Sequence, residues 1–319
     1  MKAAVNTRYG PPDVVQTCDV PKPEPEADEV LIRVFSTTVN RTDCGMRRPK
    51  PFFIRLVAGL TRPKRTILGM DFAGVVEDAG SSVTSYKRDD RVFGLSLTYG
   101  AHAEYLCLPE SAPVAAIPAG IDFDEAVLCE GAWYANSCLR KLNLAQKQKI
   151  LIYGGSGAIG TAAIQLAANS YGAEVTAVVS TQHLDLVKSL GAHHAVDYTA
   201  EDFTQISKTF DCVLDAVGKT TFFRCRKLLN PTGSFAVTDL GPWSQNLFLA
   251  IWSRITGSNR VVFPLPQDAK ALVGFLKGRM EKGEIRAVID RRYPLDEIAD
   301  AYRYVEKGQK TGIVLVKPS

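Results

Sequence analysis

Residues 150–160 read ILIYGGSGAIG, an unbroken apolar run that ends in a glycine-rich turn and leads into the helix-compatible TAAIQLAANSYG. An apolar run without alternation suits a strand buried on both faces, and glycines at 155, 157 and 160 set the spacing GxGxxG between it and a helix. The spacing has a mechanical meaning. The first glycine permits a tight turn, the second lets the backbone approach a pyrophosphate, and the third lets the helix pack against the strand. An anion placed there meets free N–H groups and the positive end of the helix dipole. Gly155, Ser156, Gly157, Ala158, Ile159 and Gly160 are therefore candidate dinucleotide-binding residues. The competing reading is a glycine-rich turn of an α/β protein that binds nothing.

Outward from this turn the texture differs on the two sides. Downstream come the strand EVTAVVS, the helix QHLDLVKSLG, the strands HAVDY and FDCVLDAVG, the helix TFFRCRKLL and the strand SFAVTDL. Strands alternating with helices imply βαβ units and a doubly wound parallel sheet, here over 119–269. Upstream, VLIRVFSTTV, GMDFAGVVEDAG, RVFGLS and AHAEYLCLP read as strands of a small barrel-like β domain. A helix within 268–283, a strand AVIDRRYP, a helix DEIADAYRYVEKG and a strand TGIVLVKP return the chain to that first domain. The expected division is 1–118 with 270–319, and 119–269. A ligand cleft is expected at the carboxyl ends of the parallel strands.

Bulk properties agree with a two-domain globular enzyme. A chain of 319 residues exceeds the usual size of one core, and 46% hydrophobic with 23% charged residues leaves ample apolar material to bury. The net charge of +4 comes from 38 basic and 34 acidic residues spread along the chain, which gives nucleic-acid binding no support. The start lacks an apolar signal region, and no stretch approaches the roughly 20 apolar residues that span a bilayer. A cytoplasmic protein without an integral membrane segment is expected. Seven cysteines, an odd number with no CxxC pair, suit reduced buried thiols better than disulfides or a zinc knot.

The end of the second parallel strand decides between cofactors, because a carboxylate there bonds the ribose of NAD and repels the 2′-phosphate of NADP. That turn reads Ser180-Thr181-Gln182-His183, with no acid until Asp185, so NADPH is expected. The hydroxyls of Ser180 and Thr181 can donate to the phosphate, and protonated His183 can add charge. The turn holds no arginine or lysine.

The order MKAAV, GPPDVV, VNRTDCGMRR, LGMDFAGVVEDAGSSVTSYKRDDRVFG, YGAHAEYLCLPE, ILIYGGSGAIGTAAIQLA, LVKSLGAHHAVDY and FDCVLDAVGK resembles the medium-chain dehydrogenase/reductase superfamily over nearly the whole chain. Within it the chain looks like the zinc-free quinone oxidoreductase branch. The resemblance implies an α/β fold: a Rossmann domain with a doubly wound parallel sheet, plus a mainly β, GroES-like barrel catalytic domain. Zinc-dependent members use a cysteine, a histidine beside a glutamate, and a second cysteine. Here Asn40 occupies the first of those positions and Met70-Asp71 the second, while Cys129 stands near the third. One thiolate cannot hold zinc without further ligands, so no metal is expected.

The resemblance also implies site residues. Asn40, Asp43 and Tyr134 are the candidate catalytic residues, with Trp133 and Met70 lining the substrate pocket. Asn40 and Asp43 can instead cap the following turn, and Trp133 can be core. Glu130, unusual in an apolar stretch, reads either as a proton relay or as a surface residue of its helix. Tyr198 is expected near the adenosine phosphate, and Ala216, Val217 and Gly218 under the cofactor, with Asp215 alternatively a turn former. The expected activity is zinc-independent hydride transfer from NADPH to a quinone or an α,β-unsaturated carbonyl. The alternatives are an NADPH-binding redox-sensing or partner-binding protein with little turnover, and an alcohol dehydrogenase. The stretches RRPKPFFIRLVAGLTRPKR and WSQNLFLAIWSR, which by resemblance flank the cleft, suit a lipophilic electron acceptor or a weak contact with an anionic membrane surface, the competing reading being a dimer interface or plain loop packing. A homodimer is expected by resemblance.

Overall fold

An antiparallel pair opens the chain, β1 (Lys2–Val5) on β2 (Gln16–Asp19), followed by the long strand β3 (Glu29–Val39). The computed structural model describes residues 1–49, 54–239, 241, 245–257 and 260–318. After β3 come the helices α1 (Arg41–Arg47) and α2 (Arg55–Ala58), then β4 (Asp71–Ala79), β5 (Arg91–Leu95), β6 (Tyr105–Pro109) and β7 (Val114–Ala116). Two helices, α3 (Phe123–Ala126) and α4 (Cys129–Lys141), precede the alternating part of the chain. That part runs β8 (Lys149–Tyr153), α5 (Ala158–Gln165), β9 (Glu174–Val179), α6 (Leu184–Ser189), β10 (His194–Asp197), β11 (Phe210–Asp215), α7 (Phe222–Cys225), β12 (Leu229–Val237), α8 (Gln245–Thr256) and β13 (Arg260–Val262). The last elements are α9 (Ala269–Glu281), β14 (Ile289–Pro294), α10 (Ile298–Glu306) and β15 (Ile313–Lys317).

Two compact units result, Met1–Glu130 with Ala269–Glu281 and Arg286–Ser319, and Gly131–Asp268 with Lys282–Ile285. In the first unit the described strands order β14-β15-β3-β4-β5-β7, with β6 also on β3. β3 is central because it pairs antiparallel with β4, β6 and β15, and its residues Val30, Ile32 and Val34 alternate into a core with Phe72, Val76, Val92 and Leu106. A second core in this unit gathers Val39, Leu68, Ile298, Ala301, Tyr302 and Val316 under α10.

In the second unit the described strands order β10-β9-β8-β11-β12-β13, all parallel. This is the 3-2-1-4-5-6 order of the doubly wound dinucleotide fold. Its strands are buried on both faces, Ile150, Leu151 and Ile152 in β8 and Val213 and Leu214 in β11 being fully covered.

Two local readings change. The helix expected over TFFRCRKLL is α-helical only to Cys225 and continues as a 3-10 turn over Arg226–Leu228. Phe222, Cys225 and Leu228 all pack into one core, and their spacing of three matches the 3-10 period. WSQNLFLAIWSR, expected as an acceptor-flanking stretch, supplies the helix α8 from Gln245, while its Trp243 and Ser244 lie outside the described residues. Lys50, Pro51, Phe52 and Phe53 of the other such stretch also lie outside them. No helix of the described residues is long and apolar enough to cross a membrane.

Candidate active site

The glycine turn joins β8 to α5. Its left-handed residue is Gly154, at φ 79°, one position before the first glycine of the motif. Gly155, expected to make the turn, serves packing instead: a Cβ there would lie 3.0 Å from Ile164 Cδ1 and 3.2 Å from Ala177 Cβ. At Gly160 a Cβ would meet Gly154 O at 2.2 Å, so only glycine lets α5 close onto the turn. At Gly157 a Cβ would meet Gly154 O and Val217 Cγ1 at 3.8 Å, ordinary contact without a clash. Gly157 is also the N-cap of α5 and has no side chain to satisfy the N–H groups of Ala158, Ile159 and Gly160. A helix start whose N–H groups have no side-chain cap is a cradle for an anion, and the residues present fit a dinucleotide pyrophosphate.

Parallel pairing of β11 with β8 sets Asp215 opposite Tyr153, which brings the loop 216–218 beside the glycine turn. The Asp215 carboxylate accepts from the N–H groups of Val217 (3.0 Å), Gly218 (2.9 Å) and Thr220 (2.9 Å). Burial raises its pKa and those bonds oppose the rise, so Asp215 is the turn former that shapes Ala216-Val217-Gly218. At the end of β9, Ser180 Oγ lies 3.0 Å from His183 Nδ1, while Thr181 Oγ1 donates to Asp197 Oδ2 at 2.5 Å. The next strand thus delivers an acid to a turn that has none of its own. Hydrogen bonds from Thr181 and Thr199 hold the Asp197 carboxyl below its ordinary range. Nearby, Tyr198, Tyr153, Phe203 and Arg224 line a cavity of about 430 Å³, and the Arg224 guanidinium sits 5.4 Å from the Phe203 ring centroid. Asp197 and Arg224 were both invisible to a reading of the turn alone. On α4, Trp133 and Tyr134 lie with ring centroids 6.4 Å apart, and Trp133 Nε1 donates to Gln267 O at 2.9 Å.

The first unit holds the remaining candidates. Asn40 follows β3 and caps α1: its side chain accepts from Asp43 N at 3.0 Å, and Asp43 Oδ2 accepts from Asn40 N at 3.0 Å. Asp43 Oδ1 accepts from Gly69 N at 3.1 Å, which ties α1 to the turn before Met70. The capping alternative therefore describes both residues. Asp43 is fully buried, and burial pushes its pKa up to about 7 against those backbone bonds. Asn40 keeps one group uncommitted, because its Nδ2 is buried and has no hydrogen-bond partner among the described residues. Met70 is buried as well, with its carbonyl accepting from Ser96 N at 2.7 Å.

Around this cap lies a set of buried ionisable groups. Asp71 accepts from Glu130 N at 2.8 Å and from Thr38 Oγ1 at 3.3 Å, and Thr42 Oγ1 donates to Glu130 at 2.5 Å. Glu130 is only 6% exposed, which removes the surface-residue reading. Burial, then the Asp43 charge, pushes its pKa up to about 8, and burial pushes Asp71 well above the carboxylate range. Lys310 is driven down to about 8 by burial, with Glu130 opposing. His102 places Nε2 2.8 Å from Thr38 O and is held neutral, its pKa lowered to about 4 by burial. Asp71 and Glu130 each carry the signal of a charge inside an apolar stretch, whereas Lys310, from the turn before β15, carries none. Among the described residues, no group of three or more His, Cys, Asp or Glu side chains is placed to hold a metal ion.

The family model for the alcohol dehydrogenase GroES-like domain matches residues 26–119, and that for the zinc-binding dehydrogenase matches 190–316. Over its full length the chain is 33% identical to the 2-methylene-furan-3-one reductase of Solanum lycopersicum, covering 79% of that protein. It is 31% identical, again over its full length, to the chloroplastic NADPH-dependent alkenal/one oxidoreductase of Arabidopsis thaliana, covering 80% of it. The solved structure of the quinone oxidoreductase from Coxiella burnetii superposes with a TM-score of 0.86 over 99% of both chains, at 27% identity. With the parallel sheet, the glycine turn and the β domain all in the corresponding order, the chain belongs to the medium-chain dehydrogenase/reductase superfamily, as an oxidoreductase of its quinone oxidoreductase-like branch.

Proposed function

We propose that the chain is a zinc-independent, NADPH-dependent reductase that delivers hydride to a quinone or an α,β-unsaturated carbonyl. The observation that carries this reading is the buried Asn40 Nδ2, a donor without an acceptor among the described residues, beside a cap that holds it in place. A buried unmade hydrogen bond costs roughly 1–3 kcal/mol and persists where a ligand completes it. A carbonyl oxygen that gains negative charge during reduction is such a ligand. Two relatives more than 30% identical are a furanone reductase and an alkenal/one oxidoreductase, whose substrates pair a carbonyl with a conjugated double bond.

Gly155 to Gly160 would hold the pyrophosphate, Ser180, Thr181, His183 and Arg224 the adenosine phosphate, with Tyr198 and the 216–218 loop beside the cofactor. When bound, the reduced nicotinamide supplies the hydride. Asn40 polarises the acceptor oxygen, and Met70 of the same unit packs beside the turn that holds it. Asp43 acts by fixing Asn40. Thr42, backed by the protonated Glu130, holds a proton at its hydroxyl. The donor set does not fit zinc, because Asn40 already accepts from Asp43 N, Met70 stands at the histidine position, and Cys129 alone cannot build a tetrahedral site. No step runs through a metal. The edge strand β13 is the surface through which a homodimer would extend the sheet. Buried free thiols at Cys44, Cys129, Cys138, Cys212 and Cys225 suit a reducing compartment such as the cytoplasm.

The test is NADPH oxidation by purified, metal-analysed protein with an ortho-quinone and a medium-chain 2-alkenal in parallel, NADH serving as cofactor control. Turnover with NADPH is expected, with Asn40→Ala lowering kcat/KM by roughly 10–100-fold. NADPH binding without turnover on either acceptor would overturn the reading in favour of a sensing or partner-binding role.

A further inference from the structure

Helix α8 has apolar side chains both on the sheet and facing away from it. The side that meets the sheet carries Asn246 and Ser253, both buried, between the half-buried Leu249 and Ala250. Asn246 Nδ2 donates to Asp239 O at 2.9 Å, and Ser253 Oγ accepts from Val261 N at 2.9 Å. The opposite side presents Phe248, Ile251, Trp252 and Ile255, which recur at i, i+3, i+4 and i+7 and are 68, 54, 65 and 75% exposed. An ordinary surface helix turns its apolar stripe to the core and its polar side to water. Here Leu249 and Ala250 do pack on the core, but a second row of four large apolar side chains faces away from it, and such a patch marks a contact surface.

We propose that the outer face of α8 docks the protein on an anionic lipid surface. The charge of the segment selects this occupant. No Asp or Glu stands between Asp239 and Asp268, and the charged residues of that interval are Arg254 and Arg260. Aromatic and branched apolar side chains with arginine and no carboxylate are the composition of a helix lying in the headgroup boundary. Leu265, 66% exposed beyond β13, adds apolar surface within the same acid-free interval. The docking stands on this geometry alone. Its purpose rests on the proposed function: a quinone dissolved in the bilayer is reached by an enzyme that lies on it.

Vesicle co-sedimentation of the full chain, without acceptor, tests the docking. Vesicles of phosphatidylcholine with phosphatidylglycerol should carry the protein down, phosphatidylcholine alone less, and salt should release it. The combined substitution Phe248→Ser, Trp252→Ser and Ile255→Ser should weaken vesicle affinity at least ~10-fold through lost apolar burial. The same variant should keep its melting temperature and its NADPH oxidation with a water-soluble quinone. Equal sedimentation of variant and parent would overturn the proposal, as would absence of sedimentation on either vesicle. Parent dimers that the triple variant splits in light scattering, without vesicle binding, would assign the face to a second copy. Failure of turnover in solution would count against the reductase reading and leave the vesicle result untouched.

Discussion

The nucleotide-binding unit and the β unit build their candidate sites from different material. In the first, the cradle is backbone: the turn at Gly154, the bare backbone at Gly157 and the uncapped N–H groups of α5 need the absence of side chains. In the second, the working parts are side chains packed out of water: Asn40, and the ionisable Asp43, Asp71, Glu130 and His102, whose pKa values burial displaces. The difference teaches where each site is fragile. A backbone cradle fails by addition of atoms, and a buried polar cluster fails by loss of a partner.

Gly160→Val should have the largest effect, because a Cβ 2.2 Å from Gly154 O forces the helix off the turn. A loss of NADPH affinity of ~100-fold or more is expected, read by fluorescence titration beside circular dichroism. Gly157→Ala sharpens the point: its Cβ has nothing nearer than 3.8 Å, so stability should hold while affinity drops ~10-fold through crowding of the pyrophosphate alone. Equal losses of stability in the two variants would break the idea of a backbone cradle.

In the β unit, Asp43→Ala strands the N–H groups of Asn40 and Gly69, and urea unfolding should show a loss of about 2–4 kcal/mol. An effect within the range of surface substitutions would show that the cap is not what holds α1 to the Gly69 turn. A smaller, selective effect is expected from Asp197→Asn. Removing the carboxylate that Thr181 bonds should raise the ratio of NADPH to NADH in kcat/KM by roughly 3–10-fold. An unchanged ratio would place the adenosine phosphate away from Thr181.

The smallest effect concerns pH. His102 is held near a pKa of about 4 against 6.5 in the unfolded chain, so the unfolded chain takes up a proton first as the pH falls. The stability linked to the neutral imidazole is complete above about 6.5 and is lost as the pH drops through about 4. The melting temperature of His102→Gln should therefore fall less steeply than the parent's between those values. Parallel curves would mean that His102 titrates normally.

Local signals were legible where one position carries the physics. The glycine spacing identified the cradle because residues at 157 and 160 are required by space at those positions, although the left-handed residue proved to be Gly154. The capping of α1 by Asn40 and Asp43 was weighed because both partners lie within one turn of chain. Asp197, Arg224 and Lys310 escaped notice because each reaches its place from another element. The helical period of Phe248, Ile251, Trp252 and Ile255 is present in the sequence, but which side of α8 meets the sheet is not.

By itself, then, the sequence determined the order of strands and helices, the parallel sheet, the glycine turn and the family, because apolar period and glycine placement act through neighbours in the chain. Tertiary structure alone decided which carboxyls are buried and have their pKa raised, which acid faces Thr181, that Asn40 keeps a donor without a partner among the described residues, and that α8 exposes an apolar row. Burial and pairing are properties of the surroundings, and those are assembled from residues far apart in sequence.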